Sequence, residues 1–264
     1  MSQPPVPSAP PSYPALTLRG LTKAFGQKIA VNQLSLAVPR GSLYGFVGPN
    51  GAGKTTTLSM ATGLLRPDAG QVWVGDIDLW ANPAAAKAKL GVLPDGLRLF
   101  DRLSGQELLT YTGLLRNLDR AVIKERSAQL LRALGLDQDA KKAVADYSAG
   151  MTKKISLAAA LLHAPDLLVL DEPFEAIDPV SAKHIEDILR NFVTGGGTVI
   201  LSSHVMDTVQ RVCDHVAIIA DGWLRAAGPV AAVAAGEDLT TRFFQLVGAT
   251  GPAEELTWLR PSSN

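Results

Sequence analysis

Short apolar runs, the mark of half-buried or buried strands, fill the first hundred residues and return after residue 166, with helical spacing between them. Ala15-Leu16-Thr17-Leu18-Arg19-Gly20 alternates and predicts a short strand. Phe25-Gly26 predicts a turn, and residues 31–38 alternate loosely. Pro39-Arg40-Gly41 then turns the chain into Leu43-Tyr44-Gly45-Phe46-Val47, which reads as a buried strand. Beyond residue 57, Leu58, Ala61, Leu64 and Leu65 fall on one helical face. A turn over 66–70, a strand over 71–75, a short helix over 84–90 and a strand from Gly91 into the loop at Pro94-Asp95-Gly96 follow.

From residue 103 to 162 the pattern is helical throughout. Ser104-Gly105-Gln106-Glu107 has the residues of a capped start, with Leu108, Leu109, Leu114 and Leu115 after it. Residues 122–134 form a second amphipathic helix that stops at Gly135, and residues 148–162 a third. Strand signals then resume. Leu167-Leu168-Val169-Leu170 has the form of a central parallel strand, and Thr198-Val199-Ile200-Leu201 of another, with a helix over 181–193 between them. A helix through Val209 and a strand over 216–220 precede Asp221-Gly222, a strong hairpin signal into Trp223. The predicted class is α/β: a core of mostly parallel strands, an antiparallel β subdomain, and an all-helical subdomain inserted over about residues 96–163. Residues 1–14, with six prolines, predict a disordered or polyproline-like tail. Residues 15–235 form the predicted domain, and 236–264 a C-terminal extension that is partly helical over 239–247.

Composition removes several alternatives. Lys plus Arg and Asp plus Glu are 25 each among 264 residues, so no net charge points to nucleic acid or anionic lipid. No run approaches the ~20 apolar residues of a membrane span. The richest, residues 155–170, is broken by His163, Pro165 and Asp166. A lone cysteine, Cys213, excludes an intrachain disulfide, fits a reducing compartment and reads as a small buried apolar residue. The N-terminal residues lack the basic and apolar regions of a signal peptide. A cytoplasmic protein is expected, with any membrane spans supplied by another chain.

The chemistry is concentrated at Gly48-Pro49-Asn50-Gly51-Ala52-Gly53-Lys54-Thr55-Thr56, which fits G-x-x-x-x-G-K-[ST] between a strand and a helix. Glycines let backbone N–H groups converge on phosphate oxygens, and the helix N-terminus adds partial positive charge. Lys54 can reach the β- and γ-phosphates, and Thr55 offers a hydroxyl to Mg²⁺. A glycine-rich turn that merely links strand to helix would need neither the lysine nor the threonine. The second apolar strand ends in Asp171-Glu172, the form of a Walker B strand. There Asp171 can hold Mg²⁺ and Glu172 can polarise the attacking water. In isolation the pair would read as a solvated strand end. Phe25 alone would read as a core aromatic.

Between these motifs stands Asp146-Tyr147-Ser148-Ala149-Gly150-Met151, just before a helix. With it the chain resembles the nucleotide-binding domain of ABC transporters, over roughly residues 16–228, and within that family the ATP-binding subunits of bacterial ABC-2-type exporters. The resemblance implies that Tyr147 to Met151 is the L-S-G-G-Q-like signature, whose Ser148 and Gly150 cap the γ-phosphate held by a second subunit. It implies that Phe25 stacks on adenine, that Asp178 is the acid of the D-loop Glu175-Ala176-Ile177-Asp178-Pro179, and that His204 of Ser202-Ser203-His204 donates to the γ-phosphate. ATP, Mg²⁺, a dimer of ATP-binding subunits and separate membrane permease subunits are implied with it, the chain sitting peripherally on the inner membrane face.

Two positions depart from the family. Asp95 stands where a glutamine usually opens the loop; its carboxylate can ligand a hard cation but, ionised, cannot donate a hydrogen bond. Met151 replaces the signature glutamine, and Ala149 a glycine. Neither removes a group that hydrolysis needs, so slower or differently coupled turnover is expected. Two rivals remain. A soluble ABC-type factor on ribosomes or DNA would usually carry two cassettes or a coiled-coil insert, neither of which is present here. A nucleotide-gated interaction module would bind ATP with weak hydrolysis, which phosphate release distinguishes.

Overall fold

The computed structural model describes residues 13–96 and 99–248. Most of the tail expected over 1–14, and the extension beyond residue 248, lie outside these residues. In chain order the first elements are β1 (Leu16–Phe25), β2 (Lys28–Val38), β3 (Leu43–Val47), α1 (Lys54–Ala61), β4 (Ala69–Val74) and β5 (Ile77–Asp78). Then come α2 (Pro83–Ala88), β6 (Leu90–Leu93), α3 (Gly105–Leu115), α4 (Arg120–Ala133) and α5 (Ala149–Leu161). The chain continues through β7 (Leu167–Leu170), α6 (Pro179–Thr194), β8 (Thr198–Ser203), α7 (Met206–Val212) and β9 (His215–Ala220). Its last described elements are β10 (Trp223–Pro229), α8 (Val230–Ala234) and α9 (Leu239–Val247).

The strands form two sheets. The antiparallel one has the order β2-β1-β4-β5, and the larger one β10-β9-β3-β8-β7-β6, parallel except for the β10 edge. Both faces of the larger sheet are covered, which is why its strands are apolar throughout rather than alternating. Along β3, Tyr44 and Phe46 enter one cluster, shared with α1 and the antiparallel sheet. Leu43 and Val47 enter the other, shared with α3, α5, α6, α7 and α9. Since β6 and β7 are parallel neighbours, α3, α4 and α5 are one helical excursion between adjacent strands.

Local chemistry accounts for the helix starts. Ser104 and Glu107 form a reciprocal capping box on α3, Asp119 caps α4 and Ser148 caps α5. Several expected boundaries move. The strand expected over 15–20 runs on to Phe25, because Gly20, at φ 58, allows a bulge where pairing shifts and then resumes. Helix α1 stops at Ala61 and Gly63 turns left-handed at φ 71, so Leu64 and Leu65 are not on its face, and Leu64 is exposed. Leu114 and Leu115 are also exposed, because α3 packs through Leu108, Leu109 and Gly113, where a Cβ would come within 2.6 Å of Ile123. The helix expected over 84–90 ends at Ala88, since Leu90 pairs with Leu167 in the sheet. Helix α8, five residues with no side-chain cap, carries no start signal in the sequence. The segment from residue 236 packs on the core through α9, whose Leu239 is fully buried.

Cys213 is buried, and burial pushes its thiol up to about 12. His163 joins the helical excursion to the sheet: its Nε2 lies 2.9 Å from the Leu90 carbonyl, to which the neutral ring donates. Burial, helped by the Arg116 charge, pulls this imidazole down from 6.5 to about 4. The native state therefore holds neutral His163 while the unfolded chain takes up a proton. The contribution is fully present above about 6.5 and is lost as pH falls towards 4. Thermal melts should show a fall in Tm across this window that His163→Gln flattens. Asp68 and Glu107, held below their ordinary values by hydrogen bonds from Lys23 and Ser104, respond only at lower pH.

Candidate active site

The loop from Gly48 to Thr56 leaves β3 in the middle of the sheet, at the carboxyl ends of the parallel strands, where open α/β sheets place ligands. Two glycines are forced there by space. A Cβ on Gly48 would lie 2.4 Å from the Ile219 carbonyl oxygen, and one on Gly53 would lie 2.4 Å from that of Ala30. Gly53 also sits at φ 101 as the N-cap of α1, and no side chain caps that end. The first N–H groups of α1 are thus left to an anion. The loop is tied down from behind. Gly222 of the β9–β10 turn donates its N–H to the Ala52 carbonyl at 3.1 Å and accepts from the Asn32 N–H at 2.9 Å. This anchoring role of the hairpin has no signature in the sequence.

The loop opens on a cavity of about 500 Å³. Phe25, Asn50, Gly51, Gly53, Lys54, Thr55, Thr56, Asp95, Asp171, Glu172 and His204 all line it, along with Glu175 of the D-loop and with Lys28 and Ala30, which carry no motif. Lys54 is buried, and its ammonium donates to the Gly48 carbonyl at 2.7 Å and the Pro49 carbonyl at 3.3 Å. Burial lowers its pKa, while the nearby Glu172 and Asp171 charges act in the opposite direction. Phe25 stands on the rim, 53 % exposed, with the Lys23 ammonium 5.8 Å from the ring centre.

Asp171 and Glu172 leave the tip of β7 differently. Asp171 is buried, and the Ser202 hydroxyl donates to its Oδ1. Glu172 adopts a left-handed backbone at φ 48, and its N–H donates to Ser202 Oγ at 2.8 Å. His204 Nδ1 lies 3.0 Å from Glu172 Oε1, so the ring donates to this carboxylate; Nε2 of the neutral ring is then an acceptor, and the donation to the γ-phosphate expected of His204 needs the doubly protonated ring.

Ser148, Gly150 and Asp178 do not line the cavity. Ser148 Oγ accepts from the Met151 N–H at 3.3 Å, at the exposed start of α5. Gly150 lies so close to the D-loop that a Cβ would be 3.0 Å from the Ala176 carbonyl oxygen. Asp178 is the N-cap of α6, accepting from the Ser181 N–H at 2.9 Å. Hydrogen bonds from Ser181 hold its carboxyl below the usual aspartate range.

The donors fit a small hard cation. Thr55, Asp95 and Asp171 offer oxygen to one cavity, and no nitrogen or sulfur ligand stands among these three. Among the described residues no three His, Cys, Asp or Glu side chains cluster as a self-sufficient metal site. A metal here would have to complete its shell with phosphate and water, which is the habit of Mg²⁺.

The family model described as ABC transporter matches residues 31–175. The linearmycin resistance ATP-binding protein LnrL of Bacillus subtilis (strain 168) is 38% identical over 213 residues, 81% of this chain and 68% of that protein. The Nod factor export ATP-binding protein I of Ralstonia nicotianae is 36% identical over 226 residues, 86% of this chain and 70% of that protein. A solved ATP-binding subunit of an ABC transporter superposes with a TM-score of 0.83 at 26% identity, covering 88% of this chain and 99% of that one. The chain belongs to the ABC transporter family, among its ATP-binding and ATP-hydrolysing subunits.

Proposed function

We propose that this chain drives export through separate membrane permease subunits, working as one half of a dimer closed around ATP. The observation that carries it is the separation within one chain. Lys54, Asp171 and Glu172 share the cavity, while Ser148 and Gly150 stand outside it at the exposed start of α5. A site that needs both groups is completed by a second molecule. The two relatives, named for resistance and for Nod factor export, support the outward direction. No helix among the described residues is long and apolar enough to cross a membrane, so the spans would come from a partner.

Within such a dimer Lys54 and the loop N–H groups hold the phosphates, and Phe25 offers a face to adenine. Glu172 takes the proton of the attacking water, held in place by His204. Thr55, Asp171 and Asp95 would hold Mg²⁺, which when bound would offset phosphate charge. Ser148 and Gly150 of the second molecule close the γ-phosphate side, near the D-loop that carries Asp178.

Purification of the tagged chain from membranes in mild detergent tests the assignment. Recovery of an integral membrane protein together with the chain is the expected result. Recovery with ribosomes or nucleic acid instead would favour a soluble ABC-type factor. Hydrolysis by the isolated chain is expected to be slow, because Asp95 and Met151 replace groups that couple the family's sites, and to rise when the permease is present.

A further inference from the structure

Ser202 is fully buried on β8, level with Phe46 of β3, and both of its hydrogen bonds cross to the tip of β7. A buried strand serine commonly satisfies its hydroxyl on nearby backbone. Here the single hydroxyl hydrogen goes to Asp171 Oδ1, and the oxygen accepts the Glu172 N–H at 2.8 Å. Glu172 is one of the few non-glycine residues in the left-handed region among the described residues, at φ 48. Such a conformation persists only where the surroundings over-determine it. The Ser202 oxygen is the group that fixes its N–H, and His204, two residues further along the same segment, fixes its carboxylate at 3.0 Å. The end of β8 therefore grips Glu172 at both ends and Asp171 at one oxygen.

We propose that Ser202 is a positioning residue for hydrolysis: through its hydroxyl it sets which Asp171 oxygen faces the metal and keeps Glu172 aimed at the attacking water. The inference rests on the assignment of Asp171 to the metal and Glu172 to the water. Ser202 touches neither substrate nor metal itself; it acts through the two acids. Because Ser202 and His204 lie on one strand end, a shift of β8 against β7 would disturb both acids together.

The test uses the full chain and Mn²⁺ as the probe, followed by electron paramagnetic resonance with a non-hydrolysable ATP analogue. Ser202→Ala should raise the half-saturating Mn²⁺ concentration about tenfold, the usual effect of removing a group that orients a metal ligand. Affinity for the analogue in chelator should stay at the wild-type value, and kcat should fall while KM changes little. Ser202→Thr keeps the hydroxyl and should restore both Mn²⁺ binding and kcat. Thermal melts separate this from unfolding: a Mn²⁺ loss that merely follows the folded fraction overturns the proposal. So does wild-type Mn²⁺ binding by Ser202→Ala alongside its loss in Asp171→Asn. Wild-type Mn²⁺ binding by Asp171→Asn would overturn the metal assignment itself, and the role of Ser202 with it.

Discussion

Glu172→Gln is expected to bind ATP as tightly as the wild type and to hydrolyse it at least ~100-fold more slowly, the scale of a lost general base. The side chain keeps its size, and its amide oxygen still accepts from His204 Nδ1. The backbone N–H still reaches Ser202 Oγ. What disappears is the ability to take a proton from water. With hydrolysis blocked and binding intact, the closed dimer should persist, and sedimentation in the presence of MgATP should find a long-lived species of twice the chain mass. Wild-type kcat in this variant would remove Glu172 from the role of base.

Lys54→Ala is expected to weaken ATP binding about 100-fold, near 3 kcal/mol, the upper end for a hydrogen bond to a charged group. Lys54 is the buried cation of the cavity, held there by carbonyls of its own loop rather than by a counter-ion in contact. Its ammonium can leave those carbonyls for phosphate oxygens with little rearrangement. The truncation also strips a donor from the buried Gly48 carbonyl, a stability loss of about 1 kcal/mol that a thermal melt would reveal separately. Isothermal titration with ATP checks the affinity. Retained binding would contradict the role given to the loop.

Much of this site was legible because its chemistry demands particular residue types in order. The loop needs its glycines where a Cβ would strike Ile219 and Ala30 backbone, and it needs Lys54 and Thr55 immediately after them. The apolar runs at β3 and β7 were readable because a sheet buried on both faces leaves no polar alternation. Other features depend on contacts distant in sequence. Nothing local says that the turn at Gly222 holds Ala52, or that Ser202 reaches the acids of another strand. Helix α1 ends at Ala61 although Leu64 and Leu65 continue its spacing, because Gly63 takes a left-handed turn. Strand β8 runs on to Ser203, beyond its apolar run, because Ser202 and Ser203 pair with Phe46 and Val47. Asp178 is identifiable only by its place in a motif; locally it is the cap of α6.

The shared nature of the site is tested most directly by mixing two defective chains. Lys54→Ala spoils the phosphate loop and leaves the signature intact. Ser148→Asp spoils the signature with a negative charge and keeps a good helix cap on α5. Each chain alone should fail to hydrolyse ATP. An equimolar mixture should recover activity, because the intact loop of one molecule then faces the intact signature of the other. A mixture no more active than its separate components, or full activity of Ser148→Asp alone, would contradict an ATP site built from two molecules.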